Sequence, residues 1–152
     1  WISLGLVAPV AAAANAERIH LIGRPGDAAA TQVTIQDVEK LGLVSFLVFN
    51  PDERAEQTYT GVWLKDFVAH YATPDTGKVI MTAIDRYQIA FERADWERHR
   101  VLLATRVNGK TLDFATKGPM RVVYVDYDPK TKQYQESLPK WIWMITKVEF
   151  KD

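Results

Sequence analysis

The chain has 152 residues, enough for one domain, and it carries 19 Lys and Arg against 19 Asp and Glu. This zero net charge argues against a nucleic-acid-binding protein, which needs a basic excess to meet phosphates, and against a polybasic membrane-surface module. The absence of cysteine excludes disulfides, thiolate metal sites, iron–sulfur clusters and a cysteine nucleophile within this sequence.

The first 16 residues form an apolar run that ends in small side chains. The triplet Ala14-Asn15-Ala16 fits the A-x-A pattern of signal peptidase sites. We therefore expect residues 1–16 to be a partial signal peptide, residues 17–152 to be a single domain, and the protein to be periplasmic. A buried N-terminal helix is the alternative, and Pro9 together with the alanine-rich end disfavours it.

The first half of the chain predicts two strands and two helices. In chain order these are a strand over 17–23, a helix over 32–41, a strand over 43–49, a surface loop to residue 58 and a helix over 63–72. The continuous apolar run LVSFLVF is typical of a buried strand. Thr34, followed by Asp37 three residues later, approximates a capping box. Tyr59 to Val62 leads into the second helix.

The second half of the chain predicts mostly strands. In chain order these are strands over 79–84 and 87–91, a charged helix over 92–100, strands over 101–107 and 120–127, and a polar loop over 128–137. A closing strand follows over 141–150, with one helical turn at its start as an alternative for its first residues. Asn108-Gly109 is the strongest hairpin signal in the chain. Strands outnumber helices and follow no regular βαβ order, so the fold class is α+β, with a mixed β-sheet and short helices.

Several kinds of catalytic site lack support in the sequence. His20, His70 and His99 lie in three different elements, and no two of them have the spacing of metal ligands. No serine lies in a G-x-S-x-G motif, and no glycine-rich loop has the pattern that binds phosphates. We therefore expect neither a catalytic triad nor a metal site built on histidine.

The promising polar and aromatic residues lie at strand ends and in turns. They are Asp85 and Tyr87 in one turn, Arg106 before the hairpin, Gly118-Pro119 with backbone amides free in a loop, Arg121 after it, and Lys140, Trp141 and Trp143 near the end of the chain. A carboxylate, guanidinium groups, free amides and paired indoles suit a flat, polar heterocycle. In an extended segment the two tryptophans share one face.

Each of these residues also has a purely structural interpretation. Asp85 can serve as a turn residue, Arg106 and Lys140 as solvated strand ends, and the tryptophans as core. For any one residue alone the structural interpretation is the stronger, so the ligand hypothesis depends on their meeting at one place.

Five stretches in one order resemble the molybdopterin-binding domain of the sulfite-oxidase superfamily. They are YTGVWLKDFVAHY (59–71), TAIDRYQIAF (82–91), LLATRVNGKTL (102–112), KGPMRVVYV (117–125) and KWIWMITKVEF (140–150). The resemblance covers most of the chain from residue 31 onward. It implies a sulfite-oxidase-like fold and a pterin or molybdopterin-like ligand. It further implies that Asp85, Tyr87, Arg106, Arg121, Lys140 and Trp141 line or support the pocket, with Asn50 near the position of the metal-ligand loop.

The chain departs from this superfamily at the metal. The molybdenum enzymes hold their metal through a cysteine thiolate, which this sequence cannot supply. The chain is closer to small exported PruR-like pterin-binding proteins. Those imply a pterin sensor that signals to an inner-membrane partner controlling cyclic-di-GMP. We therefore expect a non-catalytic pterin-binding protein without molybdenum and without a nucleic-acid partner.

Two rival hypotheses remain open on the sequence. The first is a molybdopterin-dependent oxidoreductase, or its subunit, with non-cysteine metal ligation. The second is a structural or interaction module whose pocket is filled by Trp141 and Trp143. An open cavity near Asp85 and Arg106 favours a ligand, and a packed one favours the module.

Overall fold

The structure, a computed structural model, describes residues 17–23 and 31–152. The predicted signal peptide lies outside the described residues. The strands are β1 (Arg18–Ile22), β2 (Gln32–Thr34), β3 (Val44–Asn50), β4 (Ala55–Trp63), β5 (Lys78–Ala83), β6 (Gln88–Glu92), β7 (Val101–Val107), β8 (Lys110–Thr111), β9 (Arg121–Tyr124) and β10 (Ile145–Lys151). The helices are α1 (Ile35–Glu39), α2 (Leu64–Tyr71), α3 (Arg93–Arg98), α4 (Gln133–Ser137) and a 3₁₀ turn (Leu138–Lys140).

The strands form two five-stranded sheets rather than one. The first has the order β2-β1-β10-β5-β6 and is mixed, because β1 and β10 run parallel. The second has the order β3-β4-β7-β8. The strand β9 also belongs to it and pairs with the first half of β7, while β8 pairs with the last two residues of β7. The short helices and the mixed sheet confirm the α+β prediction.

One cluster of buried apolar side chains draws on both sheets. Val79 and Met81 of β5 are fully buried from the first sheet, and Leu102 and Val122 from the second. The helix α2 adds Phe67, which packs on the ring of Tyr71 at a centroid distance of 4.9 Å. None of the helices in the described residues is long and apolar enough to cross a membrane.

The predicted cap of the first helix is confirmed. Thr34 Oγ1 accepts a hydrogen bond from the backbone N–H of Asp37 at 3.0 Å, and Asp37 Oδ2 accepts one from the Thr34 N–H at 3.0 Å. This reciprocal pair satisfies two of the N–H groups that a helix leaves unpaired at its start. These hydrogen bonds lower the pKa of Asp37 below its usual value.

The prediction for residues 43–63 is wrong in two respects. β3 is an edge strand with alternating exposure, and Leu47 is 65% exposed, so the apolar run is not a buried strand. Only residues 51–54 of the predicted loop form a turn, and residues 55–62, predicted as loop and helix entry, belong to the nine-residue strand β4, which lies between β3 and β7. This polar segment forms a strand because it is hydrogen-bonded to a strand on each side. The local amino-acid composition does not show this stabilisation, which comes from distant parts of the chain.

Gly61 marks an irregularity in the pairing of β4 with β7. The register between β4 and β7 shifts between Thr60 and Gly61, and a Cβ at Gly61 would lie 2.0 Å from the carbonyl oxygen of Leu103. This close approach of two backbones needs glycine in the strand. The motif YTGVWL is therefore a strand with a bulge, and helix α2 starts at Leu64.

The C-terminal quarter also departs from prediction. The polar loop predicted over 128–137 contains α4, the strand predicted over 120–127 shortens to β9, and the closing strand begins only at Ile145. The residues between Trp141 and Met144 have no regular structure, and Met144 has a positive φ of 54°. This irregular segment follows the 3₁₀ turn and forms one wall of the site described next.

Candidate functional site

A cavity of about 240 Å³ opens between the end of β5, the turn that follows it, and the segment from the 3₁₀ turn to Trp143. Its lining residues are Ala83, Asp85, Tyr87, Leu138, Pro139, Trp141, Ile142 and Trp143. The structure thus brings four of the eight predicted site residues to one place. Trp141 and Trp143 line this cavity and do not fill it.

Asp85 is the one ionisable carboxylate in the lining. Its Oδ1 accepts a hydrogen bond from the Tyr87 backbone N–H at 3.0 Å, as the structural interpretation of a turn residue predicts. The turn is closed by the Arg86 N–H, which donates to the Ala83 carbonyl at 2.9 Å, and Arg86 has a φ of 74°. No cation in the described residues lies within 4 Å of Asp85, so its second oxygen is available to a ligand.

Tyr87 joins the two walls of the cavity. Its hydroxyl donates to the carbonyl oxygen of Pro139 at 2.7 Å. This bond ties the β5–β6 turn to the 3₁₀ turn, although the two segments are 52 residues apart. A hydroxyl oxygen that donates one hydrogen bond keeps lone pairs, so the Tyr87 hydroxyl can still accept a hydrogen bond.

The two tryptophans have different surroundings. Trp141 is buried, stacks on Tyr124 at 6.1 Å and 26°, and its Nε1–H donates to Ser137 Oγ at 3.4 Å. Trp143 is half-buried, with the Lys117 ammonium 4.1 Å from its ring centroid. Trp141 is therefore mainly a core residue with an edge on the cavity, whereas Trp143 is the better stacking surface.

Lys140 supports the cavity wall from outside. Its Nζ lies 2.7 Å from Asp95 Oδ2, and it lines a separate cavity of about 100 Å³ with Asp95 and Tyr124. Asp95 Oδ2 also accepts from the Glu92 N–H at 2.8 Å, so one carboxylate caps α3 and holds the 3₁₀ turn. Burial, together with the nearby carboxylate of Asp95, raises the pKa of the Tyr124 hydroxyl.

Arg121 is fully buried behind Trp143. Its Nη1 donates to Glu53 Oε1 at 3.4 Å and to the Thr116 carbonyl at 3.3 Å, while Nε and Nη2 are buried with no hydrogen-bond partner. The guanidinium lies 6.0 Å from the Trp143 ring and 5.5 Å from that of Tyr59. Unpaired buried donors are unusual in proteins. Arg121 is not among the residues that line the cavity beside Asp85, so the structure does not bring this predicted site residue into the cavity wall.

Asn50 has no free hydrogen-bonding atom of the kind a metal ligand needs. Its Nδ2 donates to the Tyr59 hydroxyl at 2.7 Å, and its Oδ1 accepts from the N–H groups of Asp52 and Glu53 at 2.8 and 3.0 Å. The side chain closes the turn after β3. Burial raises the pKa of Tyr59 despite the nearby charge of Arg121, so this hydroxyl stays protonated as a donor.

Arg106 does not reach the cavity. Its Nε and Nη2 donate to the two carboxylate oxygens of Glu39 at 2.9 Å each, and Thr105 Oγ1 donates to the same carboxylate at 2.6 Å. Burial alone would raise the pKa of Glu39, but the hydrogen bonds from Arg106 and Thr105 outweigh it and lower that pKa. Arg106 thus fastens the end of α1 to β7.

The loop before Arg121 offers no free amide at Gly118. The Gly118 N–H donates to the Asp113 carbonyl at 2.7 Å, which corrects the expectation of unpaired amides there. The Gly118-Pro119 peptide bond is cis. Asp113 also accepts from Thr116 N–H at 3.0 Å, and this bond lowers the pKa of its carboxyl group.

The residues present fit a pterin better than they fit a metal. Asp85 in the cavity lining can meet the polar edge of a pterin, whereas Arg121 is not among the lining residues. No group of three or more His, Cys, Asp or Glu side chains in residues 17–23 and 31–152 is arranged to hold a metal ion. Asn50, which the resemblance places near the metal-ligand loop, makes its side-chain hydrogen bonds within the protein.

The sequence did not reveal every residue of the site. The lining residues it missed are Ala83, Leu138, Pro139 and Ile142. Pro139 contributes its backbone carbonyl, which no side-chain pattern shows. Asp95 had a usable signal, because it stands three residues after Glu92 at the start of a charged helix, where a capping box is expected.

Comparison with known proteins supports the same family. Residues 32–151 match the family described as "Oxidoreductase molybdopterin binding domain". The solved structure of the sulfane dehydrogenase SoxCD from Paracoccus pantotrophus has a similar fold, with a TM-score of 0.61 and 15% identity over 90% of this chain. The present chain spans 38% of the SoxCD chain. No curated protein sequence matches. The sulfite-oxidase-like fold predicted from the sequence is confirmed.

Proposed function

Because this chain belongs to the oxidoreductase molybdopterin-binding domain family, we propose that it binds a pterin in the cavity beside Asp85 and acts as a non-catalytic sensor. The observation that carries the proposal is a carboxylate without a cation, set among apolar and aromatic walls. The 2-amino group and N3–H of a pterin are neighbouring donors, and together they match one carboxylate.

The walls of the cavity suit the rest of a flat ring. Trp143 offers a half-exposed indole, and Ala83 and Ile142 are buried apolar neighbours. Stacking on an aromatic ring adds to the burial of apolar area. Tyr87 is held by Pro139 and supplies an oxygen at the rim. A largely pre-formed site of this kind loses little conformational entropy when a ligand binds.

The sensor hypothesis rests on the chemistry that the chain lacks. Without cysteine it cannot supply the thiolate through which the sulfite-oxidase enzymes hold molybdenum, and Asn50 is committed to the turn after β3. We expect pterin occupancy, with no molybdenum, to be the signal. In this proposal the protein is periplasmic and passes the signal to an inner-membrane partner that controls cyclic-di-GMP.

The rival function is an oxidoreductase with molybdenum held by a ligand other than cysteine. Purification of the full chain from a host that makes molybdopterin distinguishes the two. We expect denaturation to release a pterin detectable by mass spectrometry, with molybdenum well below one atom per chain by elemental analysis. Stoichiometric molybdenum contradicts the non-catalytic role, and the absence of any pterin contradicts the ligand.

A further inference from the structure

A second concavity, of about 260 Å³, shares no lining residue with the cavity beside Asp85. Its lining residues are Trp63, Lys65, Asp66, Trp96, His99, Arg100 and Val101. It forms where β4 passes into α2 and α3 passes into β7. The pairing of Trp63 with Leu102 brings these two junctions side by side. We call it the Trp63–Arg100 groove.

Arg100 is held in this groove by two aromatic rings. Its Cζ lies 4.9 Å from the ring centroid of Phe46 and 5.3 Å from that of Trp63, and these two rings are 5.3 Å apart. Stacking restricts the guanidinium without using its N–H groups. Arg106 donates through Nε and Nη2 to the carboxylate of Glu39. By contrast, the Arg100 side chain donates no hydrogen bond to any acceptor in residues 17–23 and 31–152.

The charges around the groove favour a singly charged anion. Lys65 and Arg100 stand against one carboxylate in the lining, Asp66, and neither cation has an ion-pair partner within 4 Å in the described part of the chain. His99 faces Asp126 instead, with Nδ1 and Oδ2 3.6 Å apart. One carboxylate on a ligand therefore balances the excess.

We propose that the Trp63–Arg100 groove is a second binding site, specific for a small aromatic carboxylate. The carboxylate of the ligand accepts two parallel hydrogen bonds from the N–H groups of Arg100, as in bidentate arginine–carboxylate pairs. The ring of the ligand packs on Trp63 and on the buried Trp96, which form the apolar part of the lining. Lys65 adds a second positive charge at the rim. This site does not depend on pterin binding.

The test uses 2-naphthoate as the probe and uncharged 2-naphthamide as its match. Two-dimensional NMR follows the indole N–H signals of Trp63 and Trp96 in the full chain. We expect 2-naphthoate to shift both signals saturably, with a Kd of about 1 mM or below, and 2-naphthamide to bind about tenfold more weakly, because it lacks the charge.

Variants identify the cation responsible. Arg100→Gln should weaken 2-naphthoate binding by about tenfold or more, and Arg100→Lys, which keeps the charge but loses the planar fork, by less. Arg98→Gln, which removes a nearby exposed cation outside the lining, should leave it unchanged. Equal binding of acid and amide overturns the proposal. Undiminished binding of 2-naphthoate by a folded Arg100→Gln variant also overturns it. If that variant does not fold, undiminished binding by a folded Arg100→Lys variant does the same.

Discussion

Asp85 and Arg106 illustrate how a single charged residue gains its role from its surroundings. Both lie beside a turn at the end of an apolar strand, and both were predicted to contact a ligand. The structure gives Arg106 a carboxylate partner in Glu39, while Asp85 has only a backbone N–H at one oxygen. The unpaired carboxylate is therefore the better candidate for recognition.

Asp85→Asn should weaken pterin binding without unfolding the protein. Asparagine still offers an oxygen to the Tyr87 N–H but loses the charge, and a charge-assisted hydrogen bond contributes about 1.5–3 kcal/mol. The expected Kd is thus roughly 10- to 100-fold higher by fluorescence titration. The control is Asp113→Asn, another turn carboxylate that accepts a local N–H but lies outside this cavity. Equal loss in both variants contradicts the role of Asp85.

At the residue scale the sequence identified side chains but not their partners. Asp85, Tyr87, Trp141 and Trp143 were predicted and do line one cavity. Local patterns could not show that Arg106 would meet Glu39, because 67 residues separate them. Nor could they show that two donors of Arg121 would be buried without partners, since this depends on the packing of several distant elements.

The contact between α1 and β7 is a stabilising link between elements. Glu39, at the end of α1, accepts three hydrogen bonds from Thr105 and Arg106. The pKa of its carboxyl group is lowered in the folded state, so the ionised form is favoured there. The stability from this link is present above the usual pKa of 4.5 and is lost as the pH falls through the lowered value.

Glu39→Gln should therefore destabilise the protein in a pH-dependent way. At pH 7 we expect the free energy of unfolding to fall by about 1–3 kcal/mol, because charged hydrogen bonds to Arg106 are lost. The difference from wild type should shrink when urea unfolding is repeated well below pH 4.5. Glu97→Gln, on the exposed side of α3, serves as the control. A difference that stays constant with pH contradicts the proposed link.

At the element scale, patterns with a local cause predicted well. The capping box of α1 and the strands β5, β6 and β7 follow from side chains close in sequence. The prediction failed for β4, because its polar residues become a strand only between β3 and β7. It also failed after Trp141, where contacts with distant residues keep the chain irregular before β10.

The whole molecule places its candidate site where the β5–β6 turn meets the segment that leads into β10. β10 pairs with β5 in the first sheet, and the segment before β10 is tied to the second sheet because the Ile142 carbonyl accepts a hydrogen bond from the Val122 N–H of β9 at 2.8 Å. Both segments that line the cavity, the end of β5 and the segment before β10, are therefore held by backbone hydrogen bonds. This arrangement supports a pre-formed site for a rigid ring.

The most direct test of pterin recognition is calorimetric titration of the folded chain with pterin and with lumazine. Lumazine carries an oxo group in place of the 2-amino group that we pair with Asp85. We predict a Kd for pterin of about 50 µM or below and binding of lumazine about tenfold weaker or more. Absence of pterin binding at such concentrations, or equal affinity for the two compounds, contradicts it.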